Sequence, residues 1–435
     1  MGARIGVGLL GLGTVGGGVA AILQQPHERH PLVRDLNLVR VAVRDLNRER
    51  PVEIAPEILT TDPTVVVNDP DVDVVVEVIG GLEPARSLIL QAIQAGKSVV
   101  TANKAVIARH GEEIAEAAAK AGVYVLIEAA VGGGIPIIEP LKQSLGGNRI
   151  SRVSGIINGT TNYILTRMAD EGAAYDAVLK DAQDLGYAEA DPAADVDGLD
   201  AADKISILAS LAFGGTVNRA AIPTEGISRL EGVDVDYANR LGYGVKLLAV
   251  AERMAETGDP LPLSLRVQPT LVPKDHPLAG VNGVNNAILV EGEPIGQVMF
   301  YGPGAGAGPT ASAVVADILN IAGVRHASDE QIHIDPLLAA GSWRQCVLVN
   351  PGQIQQRHYV RFRTQDAPGV IGNIGGCFGQ RGVSIQSIVQ FNASAAGAEI
   401  VVITHTVNNQ RMSEALAAIA ALPEVAGLAS HLGCL

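Results

Sequence analysis

Apolar residues form five short runs in the first third of the chain. The runs read "RIGVGLL", "LVRVAVR", "DVVVEVIG", "SVVTAN" and "VYVLIEA", and helix-length segments such as "HGEEIAEAAAKAG" lie between them. Strands that are apolar throughout, rather than at every second position, are typical of a parallel sheet covered on both faces. The pattern therefore predicts an α/β fold with a doubly wound, Rossmann-type parallel sheet.

The pattern changes from Ile150 to about Val298. Helical runs, "ISILASLAF" and "YANRLGYGVKLLAVAERM", are mixed there with strands such as "LSLRVQPTLV", which predicts a second α/β domain. A strand, a glycine-rich turn and a helix follow in "QVMFYGPGAGAGPTASAVVADILNIAG". We expect a first domain at residues 1–131, rejoined by about 300–340, and a second domain at residues 132–299.

A polar linker, "VNPGQIQQ", precedes a separate block at residues 357–435. Strand-like and helix-like segments alternate there in the order βαββαβ, beginning with "RHYVRFRT". This order is the ferredoxin-like arrangement, and small units of this kind often sense ligands.

Charge and composition narrow the choice of partners. The 435 residues carry a net charge of -14, which argues against binding to nucleic acid or to an anionic membrane. The three cysteines show no paired spacing, as in proteins of a reducing compartment, and no run of about 18 uninterrupted apolar residues spans a bilayer. We therefore expect a cytoplasmic protein whose partners are small molecules.

A glycine-rich motif, "GLGTVG", follows the first predicted strand. Gly11, Gly13 and Gly16 have the GxGxxG spacing, and Thr14 and Val15 open the helical run that follows. Such glycines allow a tight turn and close approach of backbone amides to a pyrophosphate at a helix N-terminus. The motif predicts dinucleotide binding, with a glycine-rich turn in another α/β fold as the alternative.

The second strand ends at Arg44, followed by Asp45. In such folds a basic residue at this position binds the extra phosphate of NADP, whereas an acidic residue binds the free ribose hydroxyls of NAD. Arg44 favours NADP, and Asp45 leaves NAD open. A solvated charge at the end of the strand is the alternative.

A lysine and a glycine run follow two later strands of the first domain. "TANKA" places Lys104 at the carboxyl end of the fourth or fifth strand, where doubly wound sheets bind ligands; a surface charge at a helix start is the alternative. "EAAVGGGIP" begins at Glu128, and its three glycines would expose carbonyls to a cation or a ligand, unless the segment is only a hinge.

Six carboxylates precede a single base, Lys204, in "GYAEADPAADVDGLDAADK". Asp200 and Lys204 are four residues apart, so on a helix they share one face. Acidic groups around a lysine hold its charge and would also bind the ammonium of an amino acid. An exposed ion pair on a helix is the alternative.

The ordered motifs of the whole chain resemble homoserine dehydrogenases of the bacterial form that ends in an ACT domain. The matching motifs are "GLGTVG", "TANKA", "EAAVGGGIPII", "GIINGTTNYIL", "DAQDLGYAEADPAADVDGLDAADK", "FYGPGAG" and "TQDAPGVIGNIGGCFGQRGVSIQSI". The resemblance implies NAD(P)-dependent interconversion of L-homoserine and L-aspartate 4-semialdehyde, in the synthesis of threonine, methionine and isoleucine. It also implies an amino-acid effector such as threonine at the ACT domain, a second domain used for catalysis and dimerisation, and a homodimer or homotetramer.

The resemblance also implies a role for individual residues. Lys204 would donate the proton, Lys104 would lie by cofactor and substrate, and Gly302 would lie at the nicotinamide end. Three acids, Glu189, Asp195 and Asp200, would bind the substrate. A monovalent cation, sodium, would be held by the side chain or carbonyl of Glu128 and the carbonyls of Val131, Gly133 and Ile135.

Two other functions remain open at this point. One is a Rossmann-type dehydrogenase for a different amino-acid aldehyde or imine. The other is an amino-acid sensor without catalysis, against which the presence of both Lys104 and Lys204 argues, because a sensor has no need of a proton donor.

Overall fold

The computed structural model describes residues 4–50, 52–256, 258, 260–327, 344–394 and 397–435. The chain forms two compact units that alternate along the sequence. The first unit comprises Met1–Val153, Asp203–Arg219 and Asn286–Cys346, and the second comprises Ser154–Ala202, Ala220–Asn285 and Val347–Leu435. The predicted end of the returning segment, at about residue 340, lies outside the described residues.

Helices and strands alternate through both units. The α-helices are α1 (Thr14–Gln24), α2 (Pro63–Asn68), α3 (Ala85–Gln94), α4 (Lys104–Ala121), α5 (Gly159–Glu171), α6 (Tyr175–Asp184), α7 (Ala193–Val196), α8 (Leu199–Phe213), α9 (Gly232–Arg240), α10 (Ala307–Ala327), α11 (Val370–Gln380) and α12 (Asn409–Ala420). The strands are β1 (Ile5–Leu10), β2 (Leu36–Ala42), β3 (Leu59–Thr60), β4 (Val74–Glu77), β5 (Ser98–Thr101), β6 (Val125–Leu126), β7 (Arg149–Ile156), β8 (Gly215–Thr216), β9 (Tyr243–Arg253), β10 (Leu261–Pro273), β11 (Asn285–Glu293), β12 (Gly296–Pro303), β13 (Arg344–Leu348), β14 (Gln355–Thr364), β15 (Ile385–Ser394), β16 (Gly397–Thr404), β17 (Val407–Asn408) and β18 (Val425–Cys434).

A six-stranded parallel sheet forms the centre of the first unit, in the order β3-β2-β1-β4-β5-β6. Its central strands β1 and β4 are buried along their whole length, as their continuous apolar sequence requires. One apolar core lies between the sheet and the helices α1 and α10, and a second lies against α2, α3 and α4. The predicted doubly wound fold is confirmed.

Helix α10 follows β12 after a glycine-rich turn, and it packs closely on α1. A Cβ atom on Gly18 of α1 would lie 2.8 Å from the Ala307 carbonyl oxygen and 2.8 Å from the Ala311 Cβ, so the two helices meet at a glycine. By length and composition alone, the segment Ala307–Arg325 would suffice to cross a membrane, and half of that window is buried inside the protein. Its apolar side chains belong to the core of the first unit.

In the second unit, one predicted helix is wrong over most of its length. The run "YANRLGYGVKLLAVAERM" is helical only to Arg240, where α9 ends, and residues from Tyr243 form strand β9. Gly242 lies between them with a φ of 88°, a left-handed conformation that ends the helix. Strand β9 pairs antiparallel with β10 over eleven residues, and its interior is buried on both faces. An apolar run of this kind has no alternation that would distinguish a buried strand from a helix.

The C-terminal block has the predicted βαββαβ order, formed by β14, α11, β15, β16, α12 and β18. Helices α11 and α12 cover one face of its sheet and form a separate apolar core. The sheet does not stop at the block, because β18 also pairs in parallel with β10, with Thr270 opposite Gly433 and Leu271 opposite Cys434. The ferredoxin-like block therefore extends the sheet of the second unit.

A buried arginine joins this block to α9. The Arg361 side chain on β14 is fully buried, and its Nε lies 2.9 Å from Asp234 Oδ1, its Nη2 2.9 Å from Glu231 Oε2 and its Nη1 2.5 Å from Glu399 Oε1. Burial alone would lower the pKa of this guanidinium, but its bonds to Asp234, Glu231 and Glu399 raise the pKa above its ordinary value. Because one guanidinium pairs with three carboxylates, loss of Arg361 would leave these carboxylates without its positive charge, and the contact between β14 and α9 therefore depends on this residue.

Two histidines face each other on the neighbouring strands β14 and β18. His431 Nε2 lies 2.9 Å from His358 Nδ1. Burial lowers the pKa of His431 to about 4, and burial together with the charge of His431 lowers the pKa of His358 to about 3. Both rings are neutral in the folded protein at neutral pH.

We predict that this pair makes the protein less stable in acid. Between pH 6.5 and about 4 the unfolded chain binds a proton at His431 and the folded chain does not, so the free energy of unfolding falls as the pH falls. The loss from this one residue approaches about 3 kcal/mol at pH 4. Denaturant titrations of His431→Gln across this range should show a shallower decline than wild type. An unchanged slope would contradict the prediction, and His405→Gln, at an exposed site in the same block, is the control.

Candidate active site

The glycine turn lies between β1 and α1. Gly11 has a φ of 102°, and a Cβ atom on Gly16 would lie 2.1 Å from the Gly11 carbonyl oxygen, so the helix start packs directly on the turn. At Gly13, which caps α1, a Cβ would meet nothing within 4 Å. The turn therefore leaves open space in front of the helix N-terminus, where a pyrophosphate group fits.

A cavity of about 420 Å³ opens beside this turn. Arg44 and Asp45, the residues expected near the cofactor, line it, and so do Arg48 and Arg50, for which the sequence predicted no role. Arg50 donates from Nη1 to the Leu46 carbonyl oxygen at 3.1 Å, which holds the segment in a compact loop. In the sequence, the clustered arginines of "RDLNRER" were the signal that could have indicated Arg48 and Arg50. Together with Arg44 they bring positive charge to the cavity.

Lys104 is the first residue of α4, directly after β5. The preceding Asn103 caps this helix, since its Oδ1 accepts the Val106 N–H at 3.3 Å, and its Nδ2 donates to the Gly81 carbonyl oxygen at 2.7 Å. Thr101 also fixes the turn, because its Oγ1 accepts the Asn103 N–H at 3.0 Å. These bonds hold Lys104 at the carboxyl edge of the parallel sheet, where ligands of α/β proteins bind.

Glu128 follows β6, and its buried carboxylate accepts three backbone N–H groups. Oε1 binds the amides of Ile137 at 2.6 Å and Ile138 at 2.9 Å, and Oε2 binds that of Glu139 at 2.8 Å. The Glu128 N–H donates in turn to Asp317 Oδ2 on α10 at 2.9 Å. Burial raises the pKa of Glu128, although the three amides oppose the shift. Both side-chain oxygens thus bind the main chain, which favours the carbonyl of Glu128 as the candidate cation ligand.

The glycine run after Glu128 packs on the segment that follows β12. A Cβ on Gly133 would lie 2.5 Å from the Gly304 carbonyl oxygen, and a Cβ on Gly302 would lie 3.4 Å from Ile135 Cγ1. The candidate cation ligand Ile135 therefore lies beside the candidate nicotinamide residue Gly302, and Gly133 lies against Gly304, two residues further along the chain. Val131 lies in the same loop and is fully buried.

Two further acids, not foreseen from the sequence, approach Glu128. Oxygen atoms of Glu128, Glu139 and Asp317 lie within 4.8 Å of one another, which is close enough to hold one metal ion. Burial raises the pKa of Asp317 well above its ordinary value, and the charge of Glu128 adds to the shift. Lys142 Nζ lies 2.6 Å from Glu139 Oε1, so an ammonium already offsets part of this negative charge.

In the second unit, Asn158 brings two of the predicted substrate-binding acids together. Its Nδ2 donates to Asp195 Oδ1 at 2.7 Å and to Asp200 Oδ2 at 3.0 Å, and its Oδ1 caps α5 by accepting the Thr161 N–H at 2.9 Å. Thr160 Oγ1 lies 3.3 Å from Asp195 Oδ2. Asn158 and Thr160 belong to the quoted motif "GIINGTTNYIL", but no role was assigned to them from the sequence.

The remaining predicted residues differ in burial. Glu189 is exposed, and its carbonyl oxygen accepts a bond from Gln183 Nε2 at 3.1 Å. Asp200 and Lys204, one turn apart on α8, are only 5% and 8% exposed. The alternative of an exposed ion pair on a helix is therefore wrong.

The open glycine turn, the cavity lined by arginines and the lysine at the carboxyl edge of the sheet define an NAD(P)-dependent oxidoreductase of the Rossmann class. Three family profiles match the chain: "Homoserine dehydrogenase, NAD binding domain" over residues 11–128, "Homoserine dehydrogenase" over residues 136–319 and "ACT domain" over residues 358–424. The chain is 59% identical to the homoserine dehydrogenase of Synechocystis sp., covering 96% of each chain. It is 41% identical to that of Bacillus subtilis, covering 95% of this chain and 94% of the other. The chain belongs to the homoserine dehydrogenase family.

Solved structures agree with this assignment. A homoserine dehydrogenase from Thiobacillus denitrificans is 43% identical and has a TM-score of 0.90, with 99% of this chain and 98% of the other covered. A hyperthermophilic archaeal homoserine dehydrogenase in complex with NADPH is 27% identical and has a TM-score of 0.61, with 74% of this chain and 98% of the other covered.

We predict that Asn158→Asp weakens binding of L-homoserine. Aspartate keeps the helix cap, but it removes the donor shared by Asp195 and Asp200 and adds a third carboxylate, which disturbs their arrangement. The KM for L-homoserine should rise by roughly tenfold or more, which corresponds to the 1–3 kcal/mol of a lost buried hydrogen bond. Steady-state kinetics measures this. Asn408→Asp, the same change at the cap of α12, is the control, and equal effects of both variants would contradict the prediction.

Proposed function

We propose that this homoserine dehydrogenase interconverts L-homoserine and L-aspartate 4-semialdehyde on the route from aspartate to threonine, methionine and isoleucine, with Lys204 as proton donor. The observation that carries the proposal is the burial of Lys204 on α8 directly after a carboxylate run, two of whose members are joined through Asn158. A lysine ammonium is an acid with a proton to give, and the carboxylates of the run would attract the ammonium of an amino-acid substrate.

In this proposal each site residue has a separate role. Glu189, Asp195 and Asp200 bind the ammonium end of the amino-acid substrate. Lys204 gives its proton to the oxygen of the aldehyde as the alcohol forms, and takes it back in the reverse direction. The bound cofactor supplies or accepts the hydride. Lys104 and Gly302 lie by the reacting groups.

Lys204→Met tests the proton donor. Methionine keeps the length of the side chain and removes the proton, so single-turnover hydride transfer should slow by roughly two to four orders of magnitude, with cofactor affinity nearly unchanged. Lys204→Arg should rescue little, because a guanidinium does not release a proton near neutral pH. A near wild-type rate would remove Lys204 from the mechanism and leave Lys104 as the candidate.

A second buried lysine provides the control for Lys204→Met. Lys97 is 7% exposed, and its Nζ donates to the carbonyl oxygens of Asp69 and of Val72, the latter at 2.6 Å. Lys97→Met removes a buried ammonium from the first unit without touching a proposed site residue. It should cost stability and leave the rate of hydride transfer in the folded enzyme unchanged.

We also propose that the enzyme uses NADP in preference to NAD. The glycine turn Gly11, Gly13, Thr14, Val15 and Gly16 receives the pyrophosphate in this proposal, and Arg44 binds the extra phosphate. The support is the cavity that Arg44 shares with Arg48 and Arg50, because guanidinium groups pair with phosphate through two hydrogen bonds.

Arg44→Ala should therefore weaken NADP binding by roughly tenfold or more and NAD binding much less, since only NADP carries the phosphate. Fluorescence titration with each reduced cofactor gives both dissociation constants. Arg40→Ala is the matched control, because Arg40 lies on β2, four residues before Arg44, but pairs with Asp69 at 3.0 Å. Equal losses for the two cofactors would argue against the role of Arg44.

A structural monovalent cation, sodium, completes the proposal for the first unit. The carbonyls of Glu128, Val131, Gly133 and Ile135 would hold it, and the support is that the Glu128 carboxylate binds backbone amides and so fixes the loop that carries them. Carbonyl oxygens are hard donors of the kind that such cations prefer.

For the C-terminal block, we propose binding of an amino-acid effector, threonine or a related one, and feedback regulation of a cytoplasmic homodimer or homotetramer. The support is the ACT profile at residues 358–424. An effector acts only if it binds two states of the protein unequally, and paired blocks from two chains would offer such states.

A further inference from the structure

The two lysines of the proposed mechanism lie on two helices of the first unit. Lys104 is the first residue of α4, and Lys204 lies in α8. A cavity of about 190 Å³ opens between these helices, lined mainly by apolar side chains. Those that face each other across it include Ile107, Ile114, Ala118, Ile207 and Leu211.

This cavity means that side-chain packing does not fill the space between the two helices. Interlocking side chains normally determine how far apart helices lie, and an unfilled space lacks those contacts. Polar contacts between α4 and α8 near their lysines therefore contribute to the separation of the two helices.

Asp203, the residue before Lys204, provides such an interaction. Its Oδ2 accepts a hydrogen bond from Arg109 Nη1 on α4 at 3.1 Å, and its Oδ1 accepts one from Arg219 Nε at 2.6 Å. Arg109 Nη1 also donates to the Ala105 carbonyl oxygen at 3.1 Å, next to Lys104. The Asp203 side chain is 9% exposed and that of Arg219 is 13% exposed, so water screens the bond between these two residues little.

We propose that Asp203 is a positioning residue for the reaction: with Arg109 and Arg219 it ties α8 to α4 and thereby sets the separation of Lys204 from Lys104. The inference rests on the proposed roles of the two lysines. Successive residues of a helix point about 100° apart, so Asp203 bonds to α4 while Lys204 lies on an adjoining face of α8. Asp203 does not touch the substrate in this proposal; it acts through the lysine beside it.

Asp203→Asn and Arg109→Met test this role. Each removes a charge from the bridge between the helices and keeps the size of the side chain. Misplacement of a catalytic group costs rate more than affinity, so kcat should fall by roughly ten- to a hundredfold while the Kd for the reduced cofactor changes less than about twofold. Arg109→Lys, which keeps one charged donor, should recover part of the rate. Arg109 is 38% exposed, so its variants retain a folded protein if Asp203→Asn does not.

Arg86→Met is the matched control. Arg86 lies on α3, and its Nη2 pairs with Oε1 of Glu113 on α4 at 2.5 Å. This exposed pair therefore involves α4, as the Arg109 bond does, but not α8. The control should leave kcat unchanged, and melting temperatures of all variants separate lost stability from lost rate. Wild-type kcat in both Asp203→Asn and Arg109→Met, alongside a large loss in Lys204→Met, would overturn the positioning role alone. A wild-type rate in Lys204→Met would overturn the proposed mechanism and this inference with it.

Discussion

The buried carboxylate of Glu128 is the interaction on which the first unit depends. It receives three consecutive backbone amides at residues 137–139, while its own N–H is bound by Asp317 of α10. One residue thus joins the end of the parallel sheet, the glycine run and the helix that returns from far along the chain. Burial of a carboxylate is unfavourable by itself, and here three donated hydrogen bonds offset part of the cost.

The fixed loop has consequences for its neighbours. Because both ends of the glycine run are held, Gly133 can lie against Gly304 at a distance that no larger residue allows. The segment after β12 is placed by this contact, and so is Gly302, close to Ile135. The buried Glu128 carboxylate therefore helps to determine where the glycine run approaches the segment around Gly302. The sequence resemblance implies a cation site in the glycine run and a cofactor contact at Gly302.

In the second unit, a neutral side-chain amide rather than a carboxylate joins separate segments of the chain. Asn158 donates to two carboxylates, Asp195 and Asp200, and caps α5 with the same side chain. An amide provides these donors without adding positive charge, so it holds the two acids together without neutralising them. Arg361, by contrast, neutralises the acids around it and serves to fasten strand β14 to α9. The C-terminal block thus shares a sheet with the rest of its unit through the pairing of β18 with β10.

The sequence alone determined those features that depend on local pattern. The parallel strands, the glycine turn and the order of the C-terminal block follow from short-range periodicity and turn chemistry. Strand β9 was misassigned, because a continuous apolar run has the same composition in a buried strand and in a buried helix. Asn158, Arg48, Arg50, Glu139 and Asp317 acquired their places only in the tertiary structure. Their partners lie up to 189 residues away, as for Glu128 and Asp317, and only packing of the whole unit brings such groups within hydrogen-bond distance.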